Sequence, residues 1–135
     1  MRLFDMNVQG FSHLTINVKL LQTALDFYIN ILGMKLRHLG KTDAYLEWGS
    51  AWICLIERVD YEIIKNKHIG ADHIAFYISE DDFNNAVEIL KENQVSIVRG
   101  PVKRGVGWSI NFLDPDGTEL ELHTSTLNER MEVWK

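Results

Sequence analysis

A chain of 135 residues suffices for one domain, or for two small similar units that share a core. Its net charge of -5 argues against nucleic acid as a partner, and 46% hydrophobic residues describe an ordinary globular protein. No apolar run approaches the ~20 residues that span a bilayer. Asp5 interrupts the stretch where a signal peptide would be apolar, and the lone Cys54 has no internal disulfide partner. These features imply a soluble cytoplasmic protein that does not engage membranes.

The first half reads strand, helix, three strands. Gly10 to Val18 alternates Leu14, Ile16 and Val18 against His13, Thr15 and Asn17. Successive strand side chains point to opposite faces, so this segment has one apolar side and one polar side. Leu20 to Leu32 spaces its apolar residues as one face of a helix, and Gly33 supplies the stop. Lys35–His38, Ala44–Trp48 and Ala51–Glu57 read as strands, with Gly49-Ser50 a hairpin turn. Val59 to Ala71 is polar and aperiodic, and reads as a connector.

The order then repeats. Asp72 to Ile78 is a strand with Ile74, Phe76 and Ile78 on one side and His73 on the other. Ser79, followed by Asp82, resembles a helix N-cap with an acidic first turn. Phe83, Ala86, Val87 and Leu90 form the stripe of a helix that ends near Asn93. Ser96–Val98, Trp108–Leu113 and Thr118–Thr124 read as strands. Arg99 to Trp108 reads as a glycine-rich loop, and Asp114-Pro115-Asp116-Gly117 as a tight turn. The chain is therefore an α+β protein made of two βαβββ modules, residues 8–58 and 72–126, joined by connector 59–71. Paired modules of this kind form a half-open, cup-shaped mixed sheet with helices outside.

A single strand histidine is commonly a hydrogen-bonded structural residue. Here His13 and His73 open the two repeats, and Glu121 alternates with Leu120 and Leu122 in the last strand. Two imidazoles and a carboxylate converging on one concavity suit a divalent metal with open coordination positions. Glu119 and His123 share the face of Glu121; His123 suits an outer role that orients a ligand.

The segments His13-Leu14-Thr15, Phe27-Tyr28 through Leu32-Gly33, His73-Ile74-Ala75-Phe76, and Asp114-Pro115-Asp116-Gly117 through Glu121-Leu122-His123 occur in an order that resembles the vicinal-oxygen-chelate superfamily. That superfamily includes glyoxalase I, extradiol dioxygenases and bleomycin-resistance proteins. Within it, Ala44-Tyr45-Leu46-Glu47, Trp52-Ile53-Cys54-Leu55, Ser109-Ile110-Asn111-Phe112 and Leu127-Asn128-Glu129-Arg130 are most similar to the fosfomycin-resistance enzymes. The resemblance implies metal ligands His13, His73 and Glu121. It implies a divalent ion, manganese first, with iron, zinc or nickel as alternatives. It further implies opening of the epoxide of fosfomycin, or of a similar small anionic substrate, by a thiol cosubstrate or water in a homodimer.

By the same resemblance Thr15 sits beside the metal, and Tyr45 and Trp52 line the pocket. Arg130 meets the phosphonate, with Lys103 and Arg104 adding positive charge. Asp43 falls where the water-using branch places its base. Asn111 replaces the family's tyrosine, and the loop before Trp108 lacks the polar residues of the potassium site in the glutathione-using branch. The alternatives are a glyoxalase I-like lyase, an extradiol dioxygenase and a drug-binding protein. Glyoxalase I normally adds a second glutamate from the first module, and the comparable position here is Cys54.

Overall fold

A computed structural model describes residues 6–133 of the chain. Asp5, which carried the signal-peptide argument, lies outside the described residues. Among the described residues no helix is long and apolar enough to cross a membrane.

The first half supplies β1 (Leu14–Val18), β2 (Lys35–Leu39), β3 (Asp43–Trp48) and β4 (Ala51–Glu57), which form one sheet in the order β1-β4-β3-β2. The second half supplies β5 (Ile74–Tyr77), β6 (Ile97–Arg104), β7 (Gly107–Leu113) and β8 (Glu119–His123), in the order β5-β8-β7-β6. Each sheet has one parallel pair, β1 with β4 and β5 with β8; the other pairs are antiparallel. The two sheets thus repeat one topology, and both stay open.

Between β1 and β2, α1 (Leu21–Leu25) runs on directly as a π-helical segment (Asp26–Ile31), and Gly33 ends it at a φ of 84°. The sequence predicts a single α-helix here. The wider turn keeps Phe27 and Tyr28 adjacent and buried. In the second half α2 (Glu80–Glu92) buries Phe83, Val87 and Leu90, as its stripe predicts. Ser79 holds the cap position, but its hydroxyl bonds the Asp82 carboxylate at 2.9 Å rather than a backbone N–H. A short α3 (Leu127–Val133) closes the chain with no buried residue.

One core serves both halves. Ile16, Val18, Leu46, Ile53 and Leu55 from the first sheet join Ile110, Phe112, Leu120 and Leu122 from the second. Each such side chain contributes about 1.5–3 kcal/mol on burial. Phe27 meets Phe112 at 6.4 Å between ring centres, and Trp48 meets Phe76 at 4.9 Å. The Tyr28 hydroxyl donates to Asp114 Oδ2 at 2.8 Å, tying the first helix to the turn before β8. Burial, with the Asp114 carboxylate second, pushes the Tyr28 phenol far above its ordinary value; burial also raises the Asp114 carboxyl.

The segment Arg99 to Trp108 corrects the sequence reading. It is not a loop: β6 runs through Arg104, and only Gly105 and Val106 turn the chain into β7. The pairing with β7 shifts register between Ile97 and Arg99 and again between Arg99 and Val102, which erases the alternation that would have marked a strand. Gly100, at a φ of 97°, lets the backbone close in: a Cβ there would lie 2.6 Å from the Ser109 carbonyl oxygen.

Candidate metal centre

Each sheet turns its apolar side to the core and carries polar residues on the other. In the second sheet, register sets Ala75 beside Glu121 and Glu121 beside Asn111, then Tyr77 beside His123 and His123 beside Ser109. His73, just before β5, extends the same face. Its Nε2 lies 2.9 Å from Glu121 Oε1, and its Nδ1 lies 2.8 Å from Asp72 Oδ2. His123 Nδ1 lies 2.9 Å from Glu121 Oε2, and its Nε2 lies 2.7 Å from Ser125 Oγ. Glu121 is only 7% exposed.

Hydrogen-bond accounting shows what this array requires. The ionised Glu121 carboxylate can only accept, so His123 Nδ1–H donates to Oε2; in the neutral ring Nε2 then accepts from Ser125 O–H, and that pair is satisfied. Asp72 accepts from His73 Nδ1–H. The other nitrogen, Nε2, then faces a buried carboxylate oxygen, lone pair to lone pair, unless a cation stands between them. A proton or a metal ion meets that need. An imidazole backed by a carboxylate, beside a buried glutamate held by a second histidine, is the orienting arrangement that metal ligands require. The donor set therefore fits a divalent ion. The His73 hydrogen bond, with Lys67 next, holds the Asp72 carboxyl below its ordinary value.

Among the described residues, the ligand atoms of Asp72, His73 and Glu119 also lie within 4.8 Å of one another. Glu119 is half-buried and accepts from Asn111 Nδ2 at 2.9 Å. Glu121 is the stronger ligand candidate, because it contacts His73 directly at 2.9 Å and His123 fixes its other oxygen.

His13 lies elsewhere in the chain. It precedes β1 and stacks on Trp52 with ring centres 4.4 Å apart, and it takes no part in the His73 group. Along this first-sheet face, Thr15 sits beside Cys54 and Cys54 beside Tyr45, while Trp52 pairs with Glu47. Tyr45 is 39% exposed and Trp52 42%, so both face outward as an open wall. A bulge in β2 between Leu36 and His38 brings two consecutive side chains to this wall. Arg37 bonds Glu47 at 3.1 Å, and the His38 ring lies 5.0 Å from Tyr45. Thr15 and His73 line one cavity of about 680 Å³ between β1, β5 and the connector.

The remaining candidates scatter. Asp43 sits at the far end of β3, its Oδ1 3.8 Å from His38 Nε2. Lys103 is exposed and Arg104 half-buried at the end of β6. Arg130 packs on the following turn, where a Cβ on Gly105 would lie 3.2 Å from its Nη1. Asn111 is buried, donating to Glu119 and accepting from Arg99 at 3.5 Å. Sequence reasoning missed Asp72, Arg99 and Ser125. The first has a signal, an acid beside a ligand histidine; the second lay in the segment misread as a loop.

The repeat can be tested residue by residue. His13 stands two positions before Thr15, which pairs Cys54; His73 stands two before Ala75, which pairs Glu121. Cys54 therefore occupies in the first half the place that Glu121 holds in the second.

A family model of the Glyoxalase/Bleomycin resistance protein/Dioxygenase superfamily matches residues 10–122. A metallothiol transferase FosB of Staphylococcus epidermidis is 41% identical over 131 residues, covering 96% of this chain and 92% of the relative. A glutathione transferase FosA of Serratia marcescens is 34% identical, covering 92% and 86%. The fosfomycin resistance protein FosX of Listeria monocytogenes, solved with Mn(II) and sulfate, superposes with a TM-score of 0.80 at 28% identity, covering 96% of this chain and all of that one.

Proposed function

This chain belongs to the glyoxalase/bleomycin resistance protein/dioxygenase superfamily, and we propose that it is a metal-dependent enzyme that opens the epoxide of fosfomycin with a thiol. The observation that carries this reading is the Asp72–His73–Glu121–His123 array, together with relatives named for metallothiol and glutathione transfer. His73 and Glu121 hold the ion, and His13 supplies the third ligand. The unit is a homodimer, in which His13 meets His73 and Glu121 of the partner subunit. Manganese is the ion of choice, as the FosX relative was solved with it.

A bound divalent ion supplies Lewis acidity toward the epoxide oxygen. The chain does the rest. Asp72 fixes the His73 ring through Nδ1, and His123 fixes the Glu121 carboxylate. The Thr15 hydroxyl, on the His13 face, donates toward the oxygen that gains charge. Tyr45 and Trp52 wall off water, while Lys103, Arg104 and Arg130 attract the phosphonate. Asn111 lines the anion end where a tyrosine would otherwise stand. Asp43, its Oδ1 3.8 Å from His38 Nε2, is the group that would serve a water nucleophile.

A glyoxalase I-like lyase needs a second carboxylate from the first half. Register puts Cys54 at that place, so the lyase is the weaker reading.

The test is mass spectrometry of fosfomycin incubated with manganese-loaded protein and a thiol mixture, against a chelator control. A metal-dependent thiol adduct, abolished in His73→Ala, supports the reading. A diol would transfer the chemistry to water and raise Asp43. Unchanged fosfomycin refutes it.

A further inference from the structure

Glu121, His123 and Ser125 stand two apart along the end of the second sheet, so alternation sets all three on its outward face. β8 ends at His123, yet the next residue stays tied to β7. Thr124 N–H donates to the Trp108 carbonyl at 3.0 Å, and Trp108 N–H donates to Thr124 Oγ1 at 2.9 Å. Thr124 is therefore buried, and Ser125 turns out beside His123. Gly107 admits this approach, since a Cβ there would lie 2.8 Å from Thr124 Oγ1 and 3.0 Å from Ser125 Cβ. Just beyond, Thr126 opens α3 with a capping box: its hydroxyl accepts from Glu129 N–H at 3.3 Å, and Glu129 Oε1 accepts from Thr126 N–H at 3.0 Å. Ser125 is thus held from both sides, by a strand end and a helix start.

We propose that Ser125 is a positioning residue of the metal centre: its hydroxyl fixes the His123 ring, and the ring fixes the Glu121 carboxylate for the ion. This rests on the reading of Glu121 as a ligand. Ser125 Oγ lies 2.7 Å from His123 Nε2, and His123 Nδ1 lies 2.9 Å from Glu121 Oε2. A ring bonded through Nδ1 alone can pivot about that bond. A second bond at the opposite nitrogen stops the pivot, and the carboxylate then keeps Oε1 toward His73.

The neighbours leave this task to Ser125. Ser109, beside His123 by register, makes no hydrogen bond through its hydroxyl among the described residues. The two histidines of the array are also backed differently. Asp72 stands behind His73, and a carboxylate there strengthens a ring that binds the ion itself. A neutral hydroxyl stands behind His123, which suits a ring that only orients a ligand.

Manganese affinity, measured at one pH by competition with a chelator, tests this relay without turnover. Ser125→Ala should weaken binding about fivefold, the loss expected for one neutral hydrogen bond. Ser125→Thr keeps the hydroxyl and should keep the affinity. In a His123→Ala background, Ser125→Ala should cost nothing further, because the group it acts through is gone. Nitrogen-15 NMR of the metal-free protein reads the same bond: the His123 Nε2 signal should move in Ser125→Ala and hold in Ser125→Thr. Unchanged affinity in Ser125→Ala, or an equal loss with and without His123, overturns the relay. A wild-type protein that binds no manganese overturns the metal reading and the relay with it. Manganese binding in this pattern with fosfomycin left intact supports the relay and refutes the reaction alone.

Discussion

Replacing Tyr28 by Phe removes one atom and isolates one polar contact between the two halves of the fold. The lost hydroxyl donates to Asp114 Oδ2 at 2.8 Å, while Oδ1 keeps its bonds from the N–H groups of Asp116 and Thr118, both at 2.9 Å. The buried carboxylate is left with one oxygen unpaired. A hydrogen bond to a charged group is worth about 1.5–3 kcal/mol. Unfolding entropy of about 2.1 cal/mol/K per residue gives about 0.28 kcal/mol/K for a chain this long, so Tm should fall by about 5–10 °C.

The dependence on pH distinguishes this mechanism from a packing defect. The folded Asp114 carboxyl titrates above its unfolded value, so the folded chain holds a proton that the unfolded chain has lost. As pH falls through the folded value the carboxyl becomes neutral, its unpaired oxygen costs less, and the two proteins should converge. At the alkaline end the folded Tyr28 phenol titrates far above its unfolded value near 10. Its contribution is complete below pH 10 and is lost as pH rises beyond it, because only the unfolded chain ionises. The Phe variant lacks this loss, so the gap should narrow there too. Thermal unfolding by circular dichroism at fixed protein concentration, from pH 4 to 11, reads both ends. A Tm difference below about 2 °C at pH 7, or one constant across the range, refutes the assignment.

Two further substitutions probe the metal centre and its frame. His123→Ala should weaken manganese affinity about 10–100-fold while leaving the fold intact, measured by titration with a competing chelator; unchanged affinity would remove His123 from any role in holding Glu121. Gly100→Ala places a methyl 2.6 Å from a backbone oxygen at a φ of 97° and should cost about 1–3 kcal/mol, read as a shift in the urea midpoint. An unshifted midpoint would mean that β6 and β7 approach less closely than described.

Alternation made most of the sheet legible, because burying one face of each strand forces a period of two. Ile16 and Val18, or Leu120 and Leu122, could not face the core without turning Thr15 and Glu121 away from it. The same logic failed where register slips. The double shift around Arg99 mixes the faces of β6, and the strand vanished into a loop. The π-helical turn from Asp26 was hidden for a related reason: over six residues, its apolar spacing cannot be told from that of an α-helix.

The candidate site divides along the same line. His73 and Glu121 were legible as polar residues on the outward faces of two strand segments, but their 2.9 Å contact depends on the parallel pairing of β5, which His73 precedes, with β8, and alternation does not give that pairing. His13 was legible as a residue type on a face, but register cannot bring it to His73 and Glu121, since β1 and β5 belong to different sheets. The repeat adds what neither strand gives alone. Superposing the two halves by register sets His13 on His73 and Cys54 on Glu121, so both halves carry the imidazole and only the second carries the carboxylate. A chain that retained both carboxylates would offer four ligands and a proton shuttle on two symmetric strands. This one pairs the His73–Glu121 contact in the second half with His13 beside an open aromatic wall in the first, so the proposed centre draws on both halves and has three ligands rather than four.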